Sequence, residues 1–257
     1  MRLNRRQVAG DASQRVLSAT TKLLAEHGLS AVKARSVAAA SGLSTMAVYH
    51  HFGGIPELIG AVVDNGYRDL ERAFADLQVT DDPIADLCTI ALTVRQIACE
   101  SPHLYDLMFR LSNGATHAPQ RGLSGGSPGF RDANRHVTGA CDRLVRSGRI
   151  RPAVPDVLAA EMWSFVHGYI TLELAGHFLH FDDSLRQVLI PMGVTFAVGL
   201  GDTSERAEVS LETAMRHFEA DTDTGRRRGG GRDRRVSSSG HARQWPGAAA
   251  SGSGDAG

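Results

Sequence analysis

The sequence predicts an all-α fold, and three observations support this prediction. Apolar residues recur at helical spacing, as at Val16, Ala19, Leu23 and Leu24, which would form one stripe along a helix. Glycines and Asp–Pro or Ser–Pro pairs mark helix ends along the chain. No segment shows the two-residue alternation of polar and apolar residues that is typical of a half-buried strand.

The first part of the chain contains signals for three short helices followed by a longer one. Gly28 and Gly42 are stop signals, because glycine readily adopts the left-handed conformation that ends a helix. Ser44 is a favourable N-cap, and Pro56 suits the first turn of the next helix. The predicted helices span residues 11–27, 32–41, 45–51 and from 56 onward.

The remaining chain is also predicted to be helical, with one loop and a tail. The predicted helices span residues 82–100, 101–113, 130–147, 155–179, 182–199 and 205–220, and Pro191 is expected to bend the fifth of these. Residues 114–129 are rich in Gly, Ser and Pro, which favours a loop. From Thr222 the chain consists mainly of Arg, Gly, Ser and Ala, so this segment should be disordered.

Charge is strongly segregated, although the net charge of the 257 residues is zero. Residues 1–60 carry seven Lys or Arg against three acids, and residues 225–257 carry seven Arg against two acids. The segment between them has an excess of acidic residues. A basic end on an acidic body favours contact of that end with a polyanion.

Several protein classes are disfavoured by composition. No apolar run approaches the roughly 18 residues of a membrane span, and the N-terminus lacks the apolar core of a signal peptide. The three cysteines are widely spaced and contain no CxxC pair, which is typical of reduced thiols. We therefore expect a cytoplasmic protein with no membrane association, no metal and no cofactor.

The segment from Val37 to Phe52 has the pattern of a helix-turn-helix. Two short helices meet at Gly42, with Val37, Ala38, Leu43 and Val48 expected to point inward and set the crossing angle. The second helix then presents its N-terminal residues outward, which is the geometry that enters the major groove of DNA. Its predicted contact residues are Ser44, Thr45, Met46, Ala47, Tyr49 and His50, with Lys33 and Arg35 beside them.

The segment from Arg15 to Leu58 resembles the TetR family of bacterial repressors. The resemblance rests on Glu26–His27–Gly28, on Val37–Ala38 with Ser41–Gly42–Leu43–Ser44, and on Tyr49 with Phe52. It implies that Tyr49 contacts phosphate and that Thr45, Met46 and His50 reach base edges or backbone.

Two departures from the family pattern affect phosphate binding. Lys33 replaces the usual Thr cap of the second helix, and Gly53–Gly54 followed by Ile55–Pro56 lacks the usual lysine after the Phe. We expect Lys33, Arg35 and the N-terminal Arg2, Arg5 and Arg6 to compensate.

A second resemblance lies in Trp163 to Gly168, which is similar to the W…H-G signature of the WHG-type TetR C-terminal domain. The resemblance implies a homodimer built on residues 156–179 and 183–200, and a ligand pocket inside the helical body. Such a dimer would bind a near-palindromic double-stranded operator. The candidate pocket residues are Tyr105, Met108, Phe109, Trp163 and His167, and each has a core-packing interpretation as an alternative.

The predicted organisation is therefore a DNA-binding domain over residues 1–55, an effector-binding and dimerisation domain over 56–221, and a disordered tail over 222–257. The predicted function is that of a repressor released from its operator by a small, mostly apolar effector.

A helical enzyme is the alternative from another class, but no nucleophile, phosphate-loop or metalloprotease motif stands in a suitable context. An architectural DNA binder that uses the Arg-rich tail is another alternative. A metal site at Glu173, His177 and His180 is a further one, since these residues would share a helix face.

Overall fold

The computed structural model describes residues 5–109 and 128–229, and side chains over 10–109 and 128–220. Every regular element in these residues is helical, which confirms the predicted fold class. The α-helices are α1 (Arg5–His27), α2 (Ala34–Ser41), α3 (Thr45–Phe52), α4 (Ile55–Ala75), α5 (Pro83–Glu100), α6 (Pro102–Phe109), α7 (Pro128–Arg146), α8 (Pro155–Leu174), α9 (Ile190–Leu200) and α10 (Ser204–Gly229). None of the described helices is long and apolar enough to cross a membrane.

Residues 1–219 form one compact unit that contains two hydrophobic clusters. The smaller cluster joins α1, α2, α3 and the first turns of α4, and includes Val16, Val37, Val48 and Leu58. The larger cluster joins the remainder of α4 to α5–α10. Helix α4 therefore contributes to both clusters, and the predicted domain boundary between residues 55 and 56 falls directly after its first residue, Ile55. The division into domains stays a prediction.

The second compact unit is residues 220–257. Its first ten residues are helical, because the last helix continues to Gly229. The predicted tail from Thr222 therefore overlaps the last eight residues of α10, and the disorder of the tail stays a prediction. The rest of the predicted tail lies outside the described residues.

Helix α8 ends at Leu174, five residues before its predicted end near Leu179. Gly176 adopts φ +80°, and the His177 N–H donates to the Leu172 carbonyl at 3.0 Å. These are the left-handed residue and the long return hydrogen bond of a Schellman motif, which terminates a helix. Apolar spacing continued past this point in the sequence, and only the glycine marked the end.

A turn of π-helix over Leu185–Leu189 comes directly before α9, next to Pro191, where a bend was predicted. Proline has no N–H to donate to the fourth preceding carbonyl, so the regular hydrogen-bond register cannot continue through it. Upstream, α7 begins at Pro128 rather than near Phe130. The predicted loop before it lies outside the described residues apart from Pro128 and Gly129.

Candidate nucleic-acid interface and ligand cavity

The turn between α2 and α3 is defined by backbone hydrogen bonds. Gly42 has φ +67°, and the Leu43 N–H donates to the Ala38 carbonyl at 3.0 Å. The Ser44 hydroxyl oxygen then accepts a hydrogen bond from the Ala47 N–H at 3.2 Å, which caps α3. Both the glycine stop and the serine cap are confirmed. The serine hydroxyl hydrogen is not used by this cap, so it can still donate to a phosphate.

The inward face of the motif agrees with the prediction. Val37 and Val48 have no exposed surface, Ala38 is buried, and Leu43 is half-buried against the same cluster. This packing fixes the angle at which α3 leaves α2, because neither valine can move without opening the core.

The outward face of α3 is open. Met46 is 74% exposed and Tyr49 is 51% exposed, which is unusual for apolar and aromatic side chains on an ordered helix. Thr45 and His50 are also exposed, whereas Ala47 is half-buried. The structure therefore brings the predicted DNA-contact residues of α3 together on one accessible surface.

The basic residues beside this surface are also accessible. Lys33 is the N-cap residue of α2, and Arg35 lies in the first turn of that helix, with both side chains exposed. Neither forms an ion pair with an acid among the described side chains. The side chains of Arg2, Arg5 and Arg6, which were predicted to assist, lie outside the described residues.

The capping threonine of the family pattern is absent at position 33, and Ser36 takes over part of its role. Its hydroxyl accepts a hydrogen bond from the Lys33 N–H at 3.2 Å and donates to the Ala31 carbonyl at 2.6 Å. The start of α2 is thus capped three residues later than in the family pattern. A serine at the third helical position was the sequence signal for this arrangement.

Arg15 is a second residue that sequence reasoning missed. Its guanidinium Nη2 extends from α1 and donates to the Ser41 carbonyl at 2.7 Å, at the C-terminus of α2. A Cβ atom at Gly42 would lie 2.9 Å from this nitrogen. The contact joins residues 26 positions apart, so no local pattern could have predicted it.

A cavity of about 360 Å³ lies between α4, α6, α7 and α8. Its volume is at the lower end of the ~300–1,000 Å³ that is usual for ligand pockets. Most of the lining side chains are aromatic or small, and three are polar, namely Asn134, Asp156 and His167. The full lining consists of Tyr67, Phe109, Phe130, Asn134, Asp156, Ala159, Ala160, Trp163 and His167.

Three of the five predicted pocket residues line this cavity, namely Phe109, Trp163 and His167. Tyr105 does not line it, but its hydroxyl shares a short hydrogen bond with Nδ1 of His167. Met108 packs in the core, where its Sδ approaches Gly66 of α4. For Met108 the core-packing interpretation therefore describes its position better.

The polar groups at the cavity are largely engaged with the protein. Trp163 Nε1 donates to Asn134 Oδ1 at 2.7 Å, and the Tyr67 hydroxyl donates to the Met108 carbonyl at 2.6 Å. The His167 ring stacks on Trp163 with centroids 4.7 Å apart and planes at 11°. Burial lowers the pKa of His167 to about 4, so the imidazole is uncharged at neutral pH.

A smaller cavity of about 60 Å³ lies between α5, α8, α9 and α10, and is lined by Ile84, Met162, Phe196 and Leu211 among other apolar residues. It offers little space and no charged side chain. The larger cavity is therefore the better candidate for ligand binding.

Glu173, which belonged to the alternative metal site, has protein partners. Arg95 donates to its two carboxylate oxygens at 2.7 and 2.8 Å, and the hydroxyls of Tyr169 and Ser184 also donate to it. Burial alone would raise the pKa of this carboxyl, but hydrogen bonds from Arg95 and Ser184 hold it below its usual value.

His177 and His180 lie beyond the end of α8, so they do not share a helix face with Glu173. The described residues contain no group of three His, Cys, Asp or Glu that could hold a metal ion. The shared helix face on which the metal alternative depended is therefore wrong.

Comparison with known families assigns both halves of the fold. The model described as "Bacterial regulatory proteins, tetR family" matches residues 16–62, and "Tetracyclin repressor-like, C-terminal domain" matches residues 87–190. Together these matches cover more than half of the chain. The chain belongs to the TetR family. It is accordingly a DNA-binding transcriptional regulator of the helix-turn-helix type, whereas the WHG subtype stays a prediction.

Solved structures show the same TetR fold at low sequence identity. A protein of unknown function from Rhodococcus sp. RHA1 is 21% identical, with a TM-score of 0.59 over 74% of this chain and 94% of its own. RolR in complex with resorcinol is 14% identical, with a TM-score of 0.57 over 80% of this chain and 96% of its own. CprB from Streptomyces coelicolor, in complex with its operator sequence, is 16% identical, with a TM-score of 0.55 over 82% and 98%. No curated protein matches the sequence.

Proposed function

We propose that this protein is a homodimeric repressor that leaves a near-palindromic operator when a small, mostly apolar effector enters the cavity between α4, α6, α7 and α8. The observation that carries the proposal is the physical connection between an exposed reading helix and that cavity. Helix α4 lines the cavity with Tyr67 and packs into the core of the helix-turn-helix with Leu58 and Val62.

The proposed DNA contacts follow from exposure and charge. The base edges are contacted by four residues of the short helix α3, which has the length and exposure to enter a major groove: Thr45, Met46, Ala47 and His50. Phosphate oxygens are bound by four neighbouring groups: Tyr49, Lys33, Arg35 and the Ser44 hydroxyl. No acidic residue lies between Glu26 and Glu57, so no carboxylate of this segment repels the DNA backbone.

The proposed dimer interface uses α8 and α9. Both helices expose apolar side chains that the described part of the chain does not cover: Val157, Leu172, Met192 and Val198. A second copy would bury these residues and give the interface an apolar centre. Two-fold symmetry would then place two reading helices on successive turns of DNA.

The proposed coupling runs through α6. Phe109 of this helix lines the cavity, while Leu104 and Leu107 pack against both hydrophobic clusters. At the far side, the His103 ring lies next to Gly28 at the end of α1. A ligand that displaces Phe109 would therefore move a helix that contacts the DNA-binding end directly.

Support for a small effector comes from the size and apolar character of the cavity, and from the fold neighbour RolR, which was solved with resorcinol. The proposal includes a cytoplasmic location and no catalytic activity, since the protein acts by binding DNA.

Selection of bound DNA from a random double-stranded library tests the proposal. We expect enrichment of a palindromic sequence, and a loss of affinity of at least tenfold for Tyr49→Ala with unchanged folding. Val209→Ala, which removes another exposed side chain on α10, is the matched control and should bind normally. A protein truncated after Gly229 tests the alternative in which the Arg-rich tail binds DNA. Retained specific binding by Tyr49→Ala, together with its loss on truncation, would contradict the proposal.

A further inference from the structure

The walls of the larger cavity are built mainly from aromatic rings. Trp163 and His167 are stacked, and the Phe109 ring lies 4.2 Å from the His167 ring between centroids. Phe130 lies 6.2 Å from Trp163, and Tyr67 contacts both phenylalanines edge-on. A flat aromatic guest would extend this arrangement through offset and edge-to-face contacts, which a saturated ring cannot form equally well.

The charge of the lining disfavours an anionic guest. Among the described residues, the cavity lining contains no Lys or Arg, and its one ionisable carboxyl belongs to Asp156. A ligand carboxylate would lose its hydration, meet no basic side chain among the described lining residues and face an acidic neighbour. The His167 imidazole does not supply the missing positive charge, because burial lowers its pKa to about 4.

Among the described lining residues, His167 has a ring nitrogen that can recognise a polar group of a ligand. Nδ1 of His167 is engaged with the Tyr105 hydroxyl, so Nε2 is the ring nitrogen that remains for a ligand. In either tautomer Nε2 has hydrogen-bonding capacity, as a donor or as an acceptor. Tyr105 is a positioning residue, since its bond fixes the rotation of the imidazole.

We propose that His167 makes this cavity selective for an uncharged aromatic molecule that carries a single hydrogen-bonding group, such as a hydroxyl. This inference rests on the proposed ligand site and specifies the chemistry that the site selects. The aromatic walls recognise the ring, Nε2 recognises the polar group, and the acidic Asp156, with no basic partner among the described lining residues, disfavours carboxylates.

Four probes of similar size separate these contributions in calorimetric titrations of the full chain: 2-naphthol, naphthalene, 2-naphthoate and decahydro-2-naphthol. We expect 2-naphthol to bind about tenfold more tightly than naphthalene, which is the effect of one buried hydrogen bond. It should exceed 2-naphthoate and decahydro-2-naphthol by at least a similar factor.

Two substitutions assign the preference to His167. His167→Phe keeps a stacked ring but lacks Nε2, so we expect 2-naphthol affinity to fall to the level of naphthalene while naphthalene affinity stays unchanged. His167→Gln, whose amide retains a hydrogen-bonding group, should keep part of the preference for 2-naphthol. Val209→Ala, an exposed change on α10 outside the cavity and the proposed dimer interface, is the control. Circular dichroism establishes that each variant is folded.

Three results would overturn the inference: binding of 2-naphthoate as tight as that of 2-naphthol, an undiminished hydroxyl preference in His167→Phe, or no binding of any probe. None of these concerns DNA. A protein that binds its operator and releases it with another ligand, but fails these titrations, refutes only the chemistry proposed here. A protein that binds 2-naphthol selectively but no specific DNA refutes the proposed function instead.

Discussion

The helix-turn-helix and the ligand cavity are built in different ways. The first is assembled between Lys33 and Gly53, a segment whose turn, caps and inward valines are neighbours along the chain. The second joins side chains from α4, α6, α7 and α8, which are separated by up to 100 positions between Tyr67 and His167. Local geometry therefore determines the exposed face of α3, whereas the packing of distant helices determines the cavity.

The largest expected effect comes from Val48→Asp, which places a carboxylate in the small core. Val48 has no exposed surface, so the substitution should cost more than ~3 kcal/mol and abolish DNA binding. Denaturant unfolding measures the cost. Thr45→Asp, on the exposed face of the same helix, should abolish DNA binding with little change in stability. Equal destabilisation by the two substitutions would show that the two faces of α3 are not as distinct as the structure indicates.

Acidification should affect the cavity region through His167. Its pKa of about 4 lies below the ordinary value of 6.5, so the unfolded chain binds this proton more readily than the folded chain. The free energy of unfolding should therefore fall as the pH drops from about 6.5 towards 4, by about 1–3 kcal/mol from this residue. Denaturant titrations of the natural protein and His167→Phe across this range measure the difference. Parallel pH profiles would show that His167 is not the group responsible.

Gly42→Ala should destabilise the turn by about 1–2 kcal/mol. The new Cβ would combine a left-handed φ with a distance of 2.9 Å to the Arg15 guanidinium. Gly60→Ala is a matched control in the interior of α4, where a Cβ meets nothing within 4 Å, and it should stabilise by about 0.5–1 kcal/mol. Thermal unfolding compares the pair, and a shift of the same sign in both would contradict this account.

The smallest effect is expected for Arg15→Met, which removes the hydrogen bond to the Ser41 carbonyl but keeps the length of the side chain. The loss should be about 1 kcal/mol of stability and several-fold in DNA affinity, with ligand affinity unchanged. Titrations with operator DNA and with ligand measure both. Lys22→Met, an exposed change on the same helix, controls for the lost charge. An equal loss of DNA affinity in the two variants would assign the effect to charge rather than to positioning.

The sequence-based predictions were accurate where the structure depends on neighbouring residues and less accurate where it depends on the packing of distant helices. Gly42, Ser44, Val37 and Val48 were assigned correctly, because each signal acts on its own helix or on the adjacent turn. The end of α8 was misplaced, since apolar spacing continued beyond Leu174 and the left-handed conformation of Gly176 is a property of the folded turn. The alternative of a metal site at Glu173 required α8 to continue to His180, and the helix ends before that residue.

By itself the sequence determined the all-α class, the family, and the outward face of the reading helix. These depend on periodicity, capping and spacing over a few residues, which can be recognised directly in a sequence. Only the tertiary structure showed that Arg15 supports the end of α2, that Tyr105 holds His167, and that Glu173 is paired with Arg95. Each of these contacts joins residues 26–78 positions apart. Their existence depends on how the helices pack, and no short-range pattern in a single sequence records that packing.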